Sequence, residues 1–195
     1  MDTWLGFGGV GVGIIGVAVA YFSVTNEKFR NFLVQRSIDK VPSAFVALAR
    51  EYRLADSLPD DPPGPIERQP WESRVSKKNV LAEGLGRFAQ GARFDRKILV
   101  AANDDGYIVA LTKLIAAEPR SGDASFLAQA AKRRAPPHAD YQTLAAIGVL
   151  ADKGIISVQE RASLDDALDR MSNRLGADHN DEIRRARAKL RSSAG

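Results

Sequence analysis

Residues 4 to 24, WLGFGGVGVGIIGVAVAYFSV, run for 21 positions without a charged side chain. As an α-helix the run would span about 31 Å, close to the roughly 30 Å hydrocarbon core of a bilayer. Trp4 stands at one end and Tyr21 with Phe22 at the other, where amphipathic rings settle at a lipid–water boundary. Six glycines would make the same run a poor helix in water. The feature predicts a single transmembrane helix within residues 1–24. The main rival is a cleaved signal peptide ending near Ala18-Val19-Ala20. Against it, the leading residues carry Asp2 and no base, and the apolar run exceeds a typical signal core.

Sidedness follows from the bases. None precedes the run, whereas Lys28, Arg30, Arg36 and Lys40 follow it closely. The positive-inside rule then predicts a single-pass protein of the cell membrane, its N-terminus outside and its C-terminal domain in the cytoplasm. Lys28, Arg30 and Arg36 are candidate contacts to anionic lipid, on a basic stretch from Glu27 to Ile38 that also carries Phe29, Phe32 and Leu33. Within the apolar run, Gly6, Gly9, Gly13, Gly16 and Ala20 are spaced by 3, 4, 3 and 4, which places them on one helix face. Such a stripe lets helix backbones touch, and Gly9 with Gly13 makes a GxxxG pair. The expected partners are therefore the lipid bilayer and either a second copy of the chain or another membrane subunit.

Beyond the run the pattern is mainly α. Residues 25–58 read as the juxtamembrane basic helix and a second helix, opened by Pro42, with Phe45, Leu48 and Tyr52 at helical spacing. Residues 59–70 hold five of the nine prolines and read as a semi-rigid spacer. Residues 71–195 read as one small all-helical domain. Its expected helices place Leu81, Leu85 and Phe88 together, with Gly84 and Gly86 weakening that helix; Ile108, Leu111 and Ile115; a segment capped by Asp123 and ended near Arg134 by Ala135-Pro136-Pro137; and Leu144, Ile147 and Ala151. Ser157 with Glu160 forms a capping box ahead of Leu164, Leu168, Met171 and Leu175, and Gly176 stops that helix. The stretch KILVAANDDGYIVAL is ambiguous. Helix, turn, helix is the preferred reading, and a short β-hairpin near 97–111 is the alternative.

No cysteine is present, which excludes disulfides, thiolate metal sites and cysteine nucleophiles, and two histidines leave little for zinc. Asn103-Asp104-Asp105-Gly106 and Asp152-Lys153-Gly154 look like fragments of calcium loops. In the first, Ala101 and Thr112 stand where oxygen ligands are required. Both segments resemble the acidic turns of TerB-like helical domains, and we read both as interhelical turns. Arg133 with His138, and Arg174 with His179, have the R-x4-H spacing that resembles HEPN-type RNases, which would imply a helical nuclease carried by Arg133 and His138; Pro136-Pro137 interrupts the helix such a site needs. Neither a Walker loop, a GxSxG elbow nor an HExxH pair occurs.

The last helix, from about Asp181 to Arg191, gathers Arg184, Arg187 and Arg191 on one face and Ile183, Ala186 and Leu190 on another. The bases are a candidate anionic-lipid contact; nucleic acid is the weaker alternative, despite a net charge of +4. The sequence thus predicts no metal, no cofactor and no catalytic residue, and more readily an adaptor or assembly factor than an enzyme. The alternatives are an oligomeric pore or membrane-disrupting effector, a membrane-tethered nuclease, and an exported domain left after cleavage.

Overall fold

The computed structural model describes residues 41–55, 70–133, 135–175 and 180–192. Among these residues there are eight α-helices and no strand. They are α1 (Ser43–Leu54), α2 (Pro70–Gly91), α3 (Arg96–Ala101), α4 (Asp105–Ala117), α5 (Asp123–Ala131), α6 (Pro137–Asp152), α7 (Val158–Leu175) and α8 (Asn180–Ser192).

α4 organises the rest. Its sequence, DGYIVALTKLIAA, is apolar on nearly every side, and Gly106 through Thr112, with Leu114 and Ile115, are buried. A helix that is apolar all round must be surrounded to be stable. α1, α2, α3, α5 and α6 all pack on it, α6 leads outward to α8, and α5 leads to α7.

Around α4 the helices approach unusually closely. A Cβ built on Gly106 would fall 2.8 Å from the Ala49 Cα of α1, and one on Gly86 would fall 2.5 Å from the Lys113 Cβ of α4. Gly84 faces Leu48 in the same way, at 3.3 Å. The glycines that weaken α2 by propensity are thus the points where its neighbours dock, and tertiary contact outweighs their roughly 1 kcal/mol cost. Aromatic rings fill the remaining space. Phe45 meets Phe88 at 5.7 Å, Phe94 at 4.8 Å and Tyr107 at 4.9 Å, the last two edge-on. Such edge contacts add about 0.5–1.5 kcal/mol each beyond their buried area.

α1 lies on the far side of the proline-rich spacer in the sequence, yet it belongs to the core. Phe45, Ala49, Tyr52 and Ala55 are all at most 1% exposed, and Pro42 to Gly195 form one compact unit.

The hairpin alternative for 97–111 is overturned, and helix–turn–helix stands. Asp95 accepts the Lys97 N–H at 2.9 Å and caps α3, while Asp104 accepts the Gly106 and Tyr107 N–H groups and caps α4. Between them Asn103 takes a left-handed turn at φ 51°, a conformation asparagine tolerates. Two caps and one αL residue convert the β-branched runs into core-facing helix. The Ser157–Glu160 capping box forms as expected, with Ser157 N–H donating to Glu160 Oε2 at 3.0 Å and Glu160 N–H donating to Ser157 Oγ at 3.3 Å. Asp123 is not the cap of α5. Gly122, at φ 91°, takes that position, and the Asp123 carboxylate instead accepts the Arg120 N–H at 2.8 Å. Pro136 and Pro137 lead directly into the next helix, so α6 begins at Pro137, well ahead of the Leu144, Ile147 and Ala151 that mark it in the sequence.

Among the described residues no helix is long and apolar enough to cross a membrane. The predicted anchor at 4–24, its glycine face (Gly6, Gly9, Gly13, Gly16 and Ala20) and the basic stretch with Lys28, Arg30 and Arg36 lie outside the described residues.

Candidate binding surface

The basic face expected on α8 is only partly open. Arg184 pairs with Asp181 one turn earlier, and its hydrogen bond holds the Asp181 carboxyl below the usual carboxylate range. Arg187 reaches across to Asp169 and ties α8 to α7. Arg191 is exposed near the helix end. Arg184 and Arg187 thus each have a carboxylate partner within the domain, and exposed pairs of this kind are weak and screened by salt.

On the other side of α8 lies a groove of about 280 Å³ shared with α6. The apolar face of α8 packs down through Ile183, Ala186 and Leu190. Small residues in both helices, Ala145 and Gly148 facing Ala186, keep the groove from filling. A Cβ on Gly148 would meet nothing closer than the end of Lys189, at 3.7 Å. Tyr141, 48% exposed, and Leu144 give the groove an apolar wall. Its rim is polar. Lys189 Nζ bridges to Asp152 at 2.6 Å, whereas Arg185 is exposed and makes no ion pair among the described residues. Glu182 Oε2 is buried at the groove without a hydrogen-bond partner. An apolar wall beside an uncommitted guanidinium suits an apolar side chain flanked by a carboxylate.

Sequence reasoning did not single out Tyr141, Arg185 or Lys189. The available signal was the run of small residues at helical spacing, Ala145, Gly148 and Ala186, beside an exposed aromatic. It became readable only once α6 and α8 were known to be neighbours.

The residues that the chemical motifs pointed to hold the fold together. His138 sits in the first turn of α6, its Nδ1 2.7 Å from the Tyr52 hydroxyl of α1 and its Nε2 3.0 Å from Asn79 Oδ1 of α2. The neutral tautomer with the proton on Nε2 accommodates both bonds: Tyr52 donates to Nδ1, and Nε2–H donates to Asn79. Tyr52 is fully buried, so the inner end of this chain does not reach solvent. It links three helices. Arg174 donates to the buried Asp140 carboxylate at 3.1 Å and to the Ala131 carbonyl at 3.0 Å. Arg133 is half-buried, and burial pulls its guanidinium below its ordinary value. His179 lies outside the described residues. The two acidic turns are likewise structural. Asp104 caps α4 and pairs with Arg53 at 3.0 Å, and Glu160 closes its capping box. Among the described residues no group of three or more histidines and carboxylates is placed to hold a metal ion.

No known protein family, curated protein or solved structure matches this chain.

Proposed function

We propose that the chain is a single-pass membrane-anchored adaptor or assembly factor. Residues 4–24 would hold it in the bilayer, and the helical domain would offer the α6–α8 groove to a partner. The observation that carries this reading is the juxtaposition in one chain of a 21-residue uncharged run with a domain whose one apolar-walled groove described above has an unpaired base at its rim. A run of that length and composition is more stable among acyl chains than in water. Its glycine face supports self-association or docking on another membrane subunit. The partner chemistry that complements the groove is a helix presenting an apolar residue one turn from an acidic one, which would lay the apolar side chain against Tyr141 and Leu144 and the carboxylate on Arg185.

Two measurements on the full-length chain test this. Carbonate washing of membranes should leave the protein in the pellet; its release into the supernatant would end the anchored reading. A photo-crosslinker placed at Tyr141 should trap a discrete partner band that Gly148→Leu with Arg185→Glu abolishes. A crosslinking pattern unchanged by those substitutions would show that the groove is not the docking face.

A further inference from the structure

A second cavity, of about 450 Å³, opens where the end of α2 meets the end of α4, far in sequence from the α6–α8 groove. Arg93, Arg96 and Arg120 line it, together with Gln90, Phe94 and Glu118. We propose that this cavity binds a tetrahedral phosphate group, held by the Arg93 and Arg120 guanidinium groups.

The three arginines play different parts. Arg96 is buried and committed. Its Nη2 donates to the Glu118 carbonyl at 2.6 Å, and its Nε lies 2.7 Å from Asp123 Oδ1, a charge contact whose N–H is not aimed at the oxygen. It braces the wall and adds positive charge to it. Arg120 is largely exposed and donates to Glu118 Oε2 at 3.0 Å, while Gln90 donates to Oε1 at 2.9 Å. These contacts, Gln90 foremost, hold the Glu118 carboxyl below the usual carboxylate range. Arg93 has no ion pair among the described residues. It closes α2 at φ 52°, with Phe94 N–H donating to the Ala89 carbonyl and Arg93 N–H to the Gln90 carbonyl. That position ordinarily belongs to glycine, because a Cβ is disfavoured there. The chain instead places there a side chain whose five N–H donors match phosphate oxygens.

Three guanidinium groups line the cavity against one lining carboxylate, Glu118, and even with Asp123, the partner of Arg96, counted as well one positive charge is in excess, so a dianion gains more there than a neutral ligand does. Glu118 is the built-in competitor. A phosphate reaching Arg120 must displace or share its carboxylate, which sets a sign-specific test. The same group could arrive as inorganic phosphate or as the headgroup of a lipid, and the cavity has room for more than the inorganic ion.

The test uses the full-length chain in a mild detergent at constant ionic strength. Its thermal midpoint is followed while inorganic phosphate replaces chloride, and separately while phosphatidic acid replaces phosphatidylcholine in the mixed micelles. A ligand that binds the folded state stabilises it by RT ln(1 + L/Kd), with L the free ligand concentration, so the midpoint rises with the logarithm of ligand once Kd is passed. The expected result is a rise of this form with at least one of the two probes. A rise with inorganic phosphate assigns a soluble source, and a rise with phosphatidic acid alone assigns the headgroup. Arg93→Gln with Arg120→Gln should raise the dissociation constant fitted from the shift at least tenfold, and Glu118→Gln should lower it several-fold. Arg93→Gly serves as the folding control, since it relieves the left-handed strain yet removes the guanidinium, and it should weaken binding too. The proposal is overturned if neither probe shifts the midpoint, or if the arginine variants respond as the parent does.

Discussion

The α1, α2 and α4 cluster and the α6–α8 face handle small residues in opposite ways. Within the cluster, glycine is covered: Gly106 of α4 meets the Ala49 backbone of α1 and Gly86 of α2 meets Lys113 of α4, leaving no room for a Cβ. Toward α8, Gly148 is buried yet has room for a Cβ, which would meet only the flexible end of Lys189. The same residue thus serves close packing in one place and leaves a groove in the other. Two buried charge pairs also differ, the one joining α3 to α5 and the one joining α7 to α6. Arg96 and Asp123 are 8% and 2% exposed, whereas the Arg174 that serves Asp140 retains 22%. One half of the domain is finished within itself, and the other leaves a surface to be completed.

The sharpest way to break that contrast is to remove each buried carboxylate. Asp123→Ala leaves the largely buried Arg96 without its carboxylate and should cost about 3 kcal/mol or more in urea unfolding. Asp140→Ala should cost measurably less, because Arg174 can turn to water. Equal losses would mean the two pairs are equally buried. Next in size, Gly106→Ala should destabilise by about 1–3 kcal/mol, despite alanine's better helix propensity, because the obstructing atoms are backbone. An unchanged unfolding midpoint would show that α1 does not press on α4. Asp104→Ala removes a cap that serves two N–H groups and should cost about 1–2 kcal/mol, against about 0.5–1 kcal/mol for Ser157→Ala on the exposed capping box. Reversed magnitudes in paired thermal melts would contradict the assigned burial.

The smallest effect is a titration. The Glu118 carboxyl is held low, first by Gln90 and then by Arg120. Its folded value lies below its unfolded one, so its contribution is present above the unfolded carboxylate range and fades as pH falls through the folded value. Gln90→Ala should move the carboxyl back up toward the ordinary range in a carbon-detected NMR titration. A superimposable curve would remove Gln90 as the cause.

Much of the helical framework was legible because local signals agreed. Leu164, Leu168 and Met171 at helical spacing, with Ser157 and Glu160 ahead of them, specify α7 without outside help. The stretch 97–111 was ambiguous because β-branched residues there are compatible with either structure, and the choice rests on three small polar residues, Asp95, Asn103 and Asp104. The place of α1 was hidden for a different reason. Nothing local states that Phe45 will meet Phe88, Phe94 and Tyr107, since those contacts cross the spacer. The two surfaces were the least legible. Arg184 and Arg187 read as a lipid-facing stripe although Asp181 stands one turn before Arg184, a pair that spacing alone allows, whereas Asp169 could be paired with Arg187 only in three dimensions. Arg185, Tyr141 and Arg93 carried no distinctive motif at all.

That the α6–α8 face is open rather than packed is the claim on which the adaptor reading of this domain depends. The direct measurement is urea unfolding of Gly148→Ala beside the parent chain, with Gly106→Ala as the reference for a covered site. An open groove predicts that Gly148→Ala leaves stability unchanged or raises it by up to about 1 kcal/mol, since alanine is the better helix former and its methyl meets no backbone. A loss as large as that of Gly106→Ala would contradict it.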